Sequence, residues 1–105
     1  MNFQELAEEL GLEEEEYSEL IELFMETGQA DLSQLKTALE ARDAETVSRR
    51  AHTLCGSSGN MRLMELHEAA KRIELAADDG RLDSLSEDLN ALERGFANLA
   101  RSLQG

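Results

Sequence analysis

Apolar residues recur every three or four positions along almost the whole chain, and no proline interrupts them anywhere in its 105 residues. A period near 3.6 gathers such residues on one stripe of an α-helix, and a stripe free of proline can run as long as the pattern lasts. Alanine, leucine and glutamate dominate, and there are only four aromatics, one tyrosine and three phenylalanines. These are helix-forming choices and argue against a sandwich of strands. The expected fold is all-α.

The stripes divide the chain. Asn2 to Leu10 reads as a short helix with Phe3, Leu6 and Leu10 on one face and Gly11 as its stop. Tyr17, Leu20, Ile21, Phe24, Gly28, Leu32, Leu35 and Leu39 then hold one phase, which predicts a single long helix from about Glu13 to Ala41. Gly28 costs that helix roughly 1 kcal/mol relative to alanine and is a place for a local bend. Asp43 is a good N-cap for the next helix, whose stripe is Ala44, Val47, Ala51, Leu54, Ser58 and Met61. Leu63, Leu66, Ala70, Ile73 and Ala77 mark another, ending near Gly80. A last helix follows Asp83 or Ser84, where Ser84 and Glu87 have capping-box spacing. It carries a heptad-like seam of Leu82, Leu85, Leu89, Leu92, Phe96, Leu99 and Leu103. Brief connections make sequential helices neighbours, so the expected architecture is an antiparallel up-down four-helix bundle with a short extra N-terminal helix. No internal repeat or linker composition appears, and residues 1–105 are expected to be a single domain that acts as a monomer, with no apolar stripe left over. The opening methionine and the four bundle helices read as a free-standing protein.

Charge narrows the partners. Twenty-three Asp and Glu against ten Lys and Arg give a net charge of −13, a field that repels nucleic acid and anionic membrane surfaces. Glu13 to Glu16 read as a solvated helix start that complements the helix dipole. The single cysteine, Cys55, has no internal disulfide partner, which suits a reducing cytoplasm. No apolar run reaches the roughly 18 residues of a membrane span, and no export signal is seen.

One residue stands off the core stripe of its helix. At 100° per residue, His52 lies roughly 130° from the centre of the stripe formed by residues 47, 51, 54 and 58, so it is expected to face solvent. Ser48, Gly56 and Gly59 are its nearest neighbours on the helix surface, with Arg49 and Cys55 at the flanks. Two glycines inside a helix cost about 1 kcal/mol each, and both fall on the His52 side, where they either clear bulk beside the ring or allow close packing of another helix. An exposed imidazole keeps an uncharged nitrogen available at neutral pH and can act as a nucleophile. The ring alone does not catalyse phosphoryl transfer, which needs charge stabilisation and usually Mg²⁺. No site for that metal, or for any cofactor, is read in this chain, so a partner would have to bring it.

The run Ala51-His52-Thr53-Leu54-Cys55-Gly56-Ser57-Ser58-Gly59-Asn60-Met61 resembles the signature of histidine phosphotransfer (HPt) domains. Leu20 to Phe24, Ala41 to Ala44 and Leu66 to Glu74 have spacing similar to that family. The resemblance implies a four-helix bundle in which His52 accepts a phosphoryl group from a receiver aspartate and passes it to another receiver, a carrier and not an enzyme. It implies response-regulator receiver domains as partners, with a hybrid histidine kinase as a further one, and Mg²⁺ on the receiver. Gly56 matches the glycine that lets the receiver approach, and Ser57 and Ser58 match small residues of the motif. Two departures stand out. Cys55 occupies the place of a usual lysine that interacts with the phosphoryl group, and Arg62 that of a usual glycine. Arg49, Arg62, Lys71 and Arg72 are the cations available in compensation.

Other readings compete. The bundle could dock onto a receiver or kinase and block it without transferring phosphate. Arg49 and Arg50 could complement an acidic partner or form a solvated face. His67 reads as a boundary residue of its helix, and Cys55 as a small core residue. A metal site made of His52, Cys55 and His67 would have three ligands at no recognised spacing.

Overall fold

A computed structural model describes residues 2–104 of the chain. It contains five helices: α1 (Phe3–Glu9), α2 (Glu14–Glu40), α3 (Ala44–Asn60), α4 (Met64–Asp78) and α5 (Ser86–Gln104). Each of α3, α4 and α5 packs on the helix before it, and α5 returns to α2, closing a four-helix ring; α1 lies against α2. At 1.5 Å per residue the 27 residues of α2 span about 40 Å, which matches the 41 Å long axis of the molecule. No helix among the described residues is long and apolar enough to cross a membrane.

The long helix runs through Gly28 unbroken. Gly28 is retained for space: a Cβ there would lie 2.8 Å from the Phe96 ring of α5. Its absence lets α2 and α5 close up, and Phe24 and Phe96 stack with centroids 5.6 Å apart beside it.

The turns share one device. In each of the first four helix endings a residue in the left-handed region follows the C-cap: Gly11, Arg42, Arg62 and Gly80. The next N–H then reaches five residues back, as Leu63 does to the Ser58 carbonyl at 2.9 Å and Asp43 to that of Ala38 at 2.9 Å. These are Schellman endings, and they satisfy carbonyls that the helix leaves open. At Asp43 the same residue also caps α3 by accepting from the Thr46 N–H, so only Ala41, Arg42 and Asp43 separate two antiparallel helices.

Two expectations are corrected. Ser84 and Glu87 form no capping box among the described residues; α5 begins later, at Ser86, and its first backbone bond runs from Leu89 N–H to the Leu85 carbonyl. Burial decides this, because Leu82 and Leu85 are both buried and pin the connecting turn to the core. Leu20, assigned to the α2 stripe, is exposed. It lies roughly 75° from the centre of the buried stripe, and Tyr17, Ile21 and Phe24 fill the interior instead. With Leu23 it leaves apolar surface on α2 that the four-helix packing does not absorb.

Tyr17 is fully buried and donates its hydroxyl to the Met61 carbonyl at 2.6 Å, tying α2 to the turn after the helix that carries His52. Burial, reinforced by the negative charge of Glu9, pushes its phenol up from 10.0 to about 12. The folded chain thus holds this proton more tightly than the unfolded one. The stabilisation is complete below pH 10 and is lost as pH rises through about 12. Since the chain has one tyrosine and no tryptophan, tyrosinate absorbance reads this group alone, and it should titrate near 12 folded and near 10 in denaturant. Tyr17→Phe should cost about 1 kcal/mol below pH 10 and abolish that alkaline component. Arg62, at φ 63°, pays for a conformation that glycine adopts freely. Arg62→Gly should therefore raise stability by about 0.5–1 kcal/mol in chemical denaturation, whereas Arg62→Ala, which keeps the strain, should not.

Candidate functional site

His52 stands on α3 with 75% of its side chain exposed, as its angle from the stripe requires. Its ring is not free to turn. Nδ1 lies 2.8 Å from Oε2 of Glu74 on α4. A carboxylate oxygen only accepts, so the proton between them belongs to Nδ1, and Nε2 is left with its lone pair toward solvent. The arrangement is an oriented, accessible nitrogen nucleophile with a carboxylate at its back.

Glu74 is the residue that sequence reasoning missed. Its side chain is only 13% exposed. One oxygen holds His52; the other, Oε1, is enclosed and has no hydrogen-bond partner among the described residues. The Lys71 ammonium stands 3.6 Å from that second oxygen. One carboxylate is thus shared between the imidazole and a lysine. A signal existed in the sequence: on α4 the polar residues His67, Lys71, Glu74 and Asp78 step by four, three and four beside the apolar stripe. A polar row bordering a core stripe marks a helix–helix seam. The fourth of these, Asp78, accepts from the Ser48 hydroxyl, a second tie across the same seam.

The two glycines near His52 do different things. A Cβ on Gly56 would meet nothing within 4 Å, so this position leaves open space beside the ring as expected. A Cβ on Gly59 would lie 2.9 Å from Nδ1 of His67. Of the two readings of the glycines, Gly59 follows the packing one: it makes room for a side chain of α4 and not for a partner. The His67 ring fills that gap and donates from Nδ1 to the Cys55 carbonyl at 2.8 Å, a boundary residue that joins α3 to α4.

The remaining residues divide likewise. Cys55 is buried, with Sγ 3.4 Å from the His67 ring, and burial pushes its thiol up from the ordinary range. It faces the seam with α4 rather than the surface around Nε2. Ser57 and Ser58 turn their hydroxyls back onto the carbonyls of Thr53 and Leu54, which satisfies them within α3. Arg49 is exposed and reaches back to Glu45 at 3.5 Å, while Arg50 is tied to Asp31 of α2 at 3.1 Å. No group of three or more His, Cys, Asp or Glu side chains is placed to hold a metal ion among the described residues.

An up-down helical bundle that presents one oriented imidazole from the outer side of a helix defines a class of histidine-bearing bundle. The chain belongs to the Hpt domain family, whose model matches residues 19–102. Membership carries histidine phosphotransfer in two-component signalling, where Hpt domains are phosphocarriers that interact with receiver domains and kinases. No curated protein and no solved structure matched the chain.

The contrast between the glycines is testable. Gly56→Ala should stabilise the fold by about 0.5–1 kcal/mol, because alanine is the better helix former and nothing stands in its way. Gly59→Ala should destabilise by roughly 1 kcal/mol or more, because the His67 ring must leave its bond to Cys55. Denaturant melts of the two single variants give opposite signs.

Proposed function

We propose that this chain is a stoichiometric phosphocarrier that takes a phosphoryl group onto Nε2 of His52 from a receiver-domain aspartate and gives it to another receiver. The observation that carries this reading is the pairing of His52 Nδ1 with Glu74, which leaves Nε2 bare on an exposed ring. In the accepting step the Nε2 lone pair attacks phosphorus. An N–P bond forms while the O–P bond of the aspartyl phosphate breaks, and the aspartate leaves as its carboxylate. The ring gains positive character, and the Glu74 carboxylate stabilises it by holding the Nδ1 proton throughout. Donation is the same exchange reversed, so no proton has to be moved in either direction.

This chain contributes the nucleophile and its orientation. The receiver contributes the in-line geometry and Mg²⁺, the electrostatic part of phosphoryl transfer. Approach is possible because Gly56 leaves the surface beside the ring bare. Ser48, Arg49 and Gly56 form the outer surface of α3 around His52 in this reading, whereas Cys55 and Gly59 support it from beneath and Ser57 lies roughly 140° round the helix from it. We take residues 1–105 as a single domain that works as a monomer in the cytoplasm, with an acidic body that keeps it from nucleic acid and anionic membranes.

Incubation with a phosphorylated receiver and Mg²⁺ should place an acid-labile, base-stable label on the chain. The label should vanish in His52→Ala and persist in His67→Ala. Gly56→Leu should weaken receiver binding about fivefold or more while the chain stays folded. Tight binding of receivers without any label would instead favour a docking module that blocks its partner.

A further inference from the structure

We propose that Lys71, on α4, is the cation that neutralises the phosphoryl group on His52, a role that rests on the carrier reading above. A phosphoryl group brings about two negative charges to a ring that already has the Glu74 carboxylate on its other nitrogen, in a chain of net charge −13. Such a group needs a compensating cation close by, and α3 supplies none at position 55, where a buried thiol stands.

The structure narrows the choice among the basic residues. Arg50 is held by Asp31 on the α2 side of α3, and Arg72 by Asp88 at 2.7 Å on α5. Arg49 is on the His52 side, and its 3.5 Å contact with Glu45 is exposed and weak, so it is the competing cation, but it shares no partner with the ring. Among the described residues Lys71 alone shares an ion-pair partner with His52: its ammonium lies 3.6 Å from one oxygen of Glu74, and Nδ1 lies 2.8 Å from the other. That 3.6 Å leaves the enclosed oxygen without a hydrogen bond, so the lysine is near but not locked. About half its side chain is exposed, and its four-carbon stem lets the ammonium swing several ångströms with no backbone change. Its charge also reaches the seam beside His52: at the Cys55 thiol it opposes the upward push of burial. A swing from Glu74 toward Nε2 exchanges one anionic partner for a more highly charged one. The cation thus comes from the neighbouring helix, and is available only when α3 and α4 are packed.

Phosphoramidate, a small anionic phosphoryl donor, tests this without a receiver. It transfers its phosphoryl group to Nε2 and releases ammonia. At low salt the rate of phospho-His52 formation should fall about three- to tenfold in Lys71→Met, be restored in Lys71→Arg, and change by less in Arg49→Met. The difference between wild type and Lys71→Met should narrow as salt rises, which a merely structural role would not produce. Circular dichroism should show both Lys71 variants folded at the assay temperature, with any loss of melting temperature in Lys71→Met recovered in Lys71→Arg. Equal rates in wild type and Lys71→Met at low salt, with label still absent in His52→Ala, would overturn the role of Lys71 and leave the carrier reading intact. Label that persists in His52→Ala would overturn both.

Discussion

The hydrogen bond from His52 to Glu74 is the point at which the fold becomes chemistry. It spans two helices, so it exists only when α3 and α4 meet at one rotation and one register. The chain secures that register with a connection of three residues. Met61 ends α3, Arg62 turns through the left-handed region, and Leu63 both closes the Schellman ending and precedes α4. Tyr17 then fastens the same turn from α2 through the Met61 carbonyl. His67 against Gly59 and Ser48 against Asp78 hold the seam on either side of the pair. An imidazole on an isolated helix would rotate and exchange tautomers; this one is held with a fixed nitrogen outward.

Electrostatics shapes the same place at two ranges. At long range the acidic body disfavours polyanionic partners. Close to the ring the balance is different: a largely buried carboxylate stands between an exposed imidazole and a half-exposed lysine. The carboxylate there is shielded from water, unlike those of the surface ion pairs elsewhere on the bundle, such as Arg42 with Asp83 or Lys36 with Glu93. Those exposed pairs contribute little.

Much of the fold was legible because it follows from local rules. Periodicity gave the long α2 through Gly28, the N-cap at Asp43 and the stop at Gly80. It failed where local rules meet a competing demand. Ser84 and Glu87 have the spacing of a capping box, yet buried Leu82 and Leu85 hold that turn outside the helix. Leu20 fits the step of three or four but lies at the edge of the stripe, where aromatic neighbours take the interior. Gly56 and Gly59 look alike in sequence because both lie near His52; only the position of the His67 ring separates open surface from filled seam.

By itself, the sequence determined that this chain forms amphipathic helices packed in a bundle, and that His52 faces away from the core. Both follow from the angle between residues along one helix, a quantity fixed by the backbone. Tertiary structure alone decided that Glu74 grips the ring, that Lys71 shares the carboxylate, and that the His67 ring fills the space over Gly59. Those facts depend on the distance and rotation between two helices, set by side-chain packing and left-handed turns acting together, and no single helix carries that information.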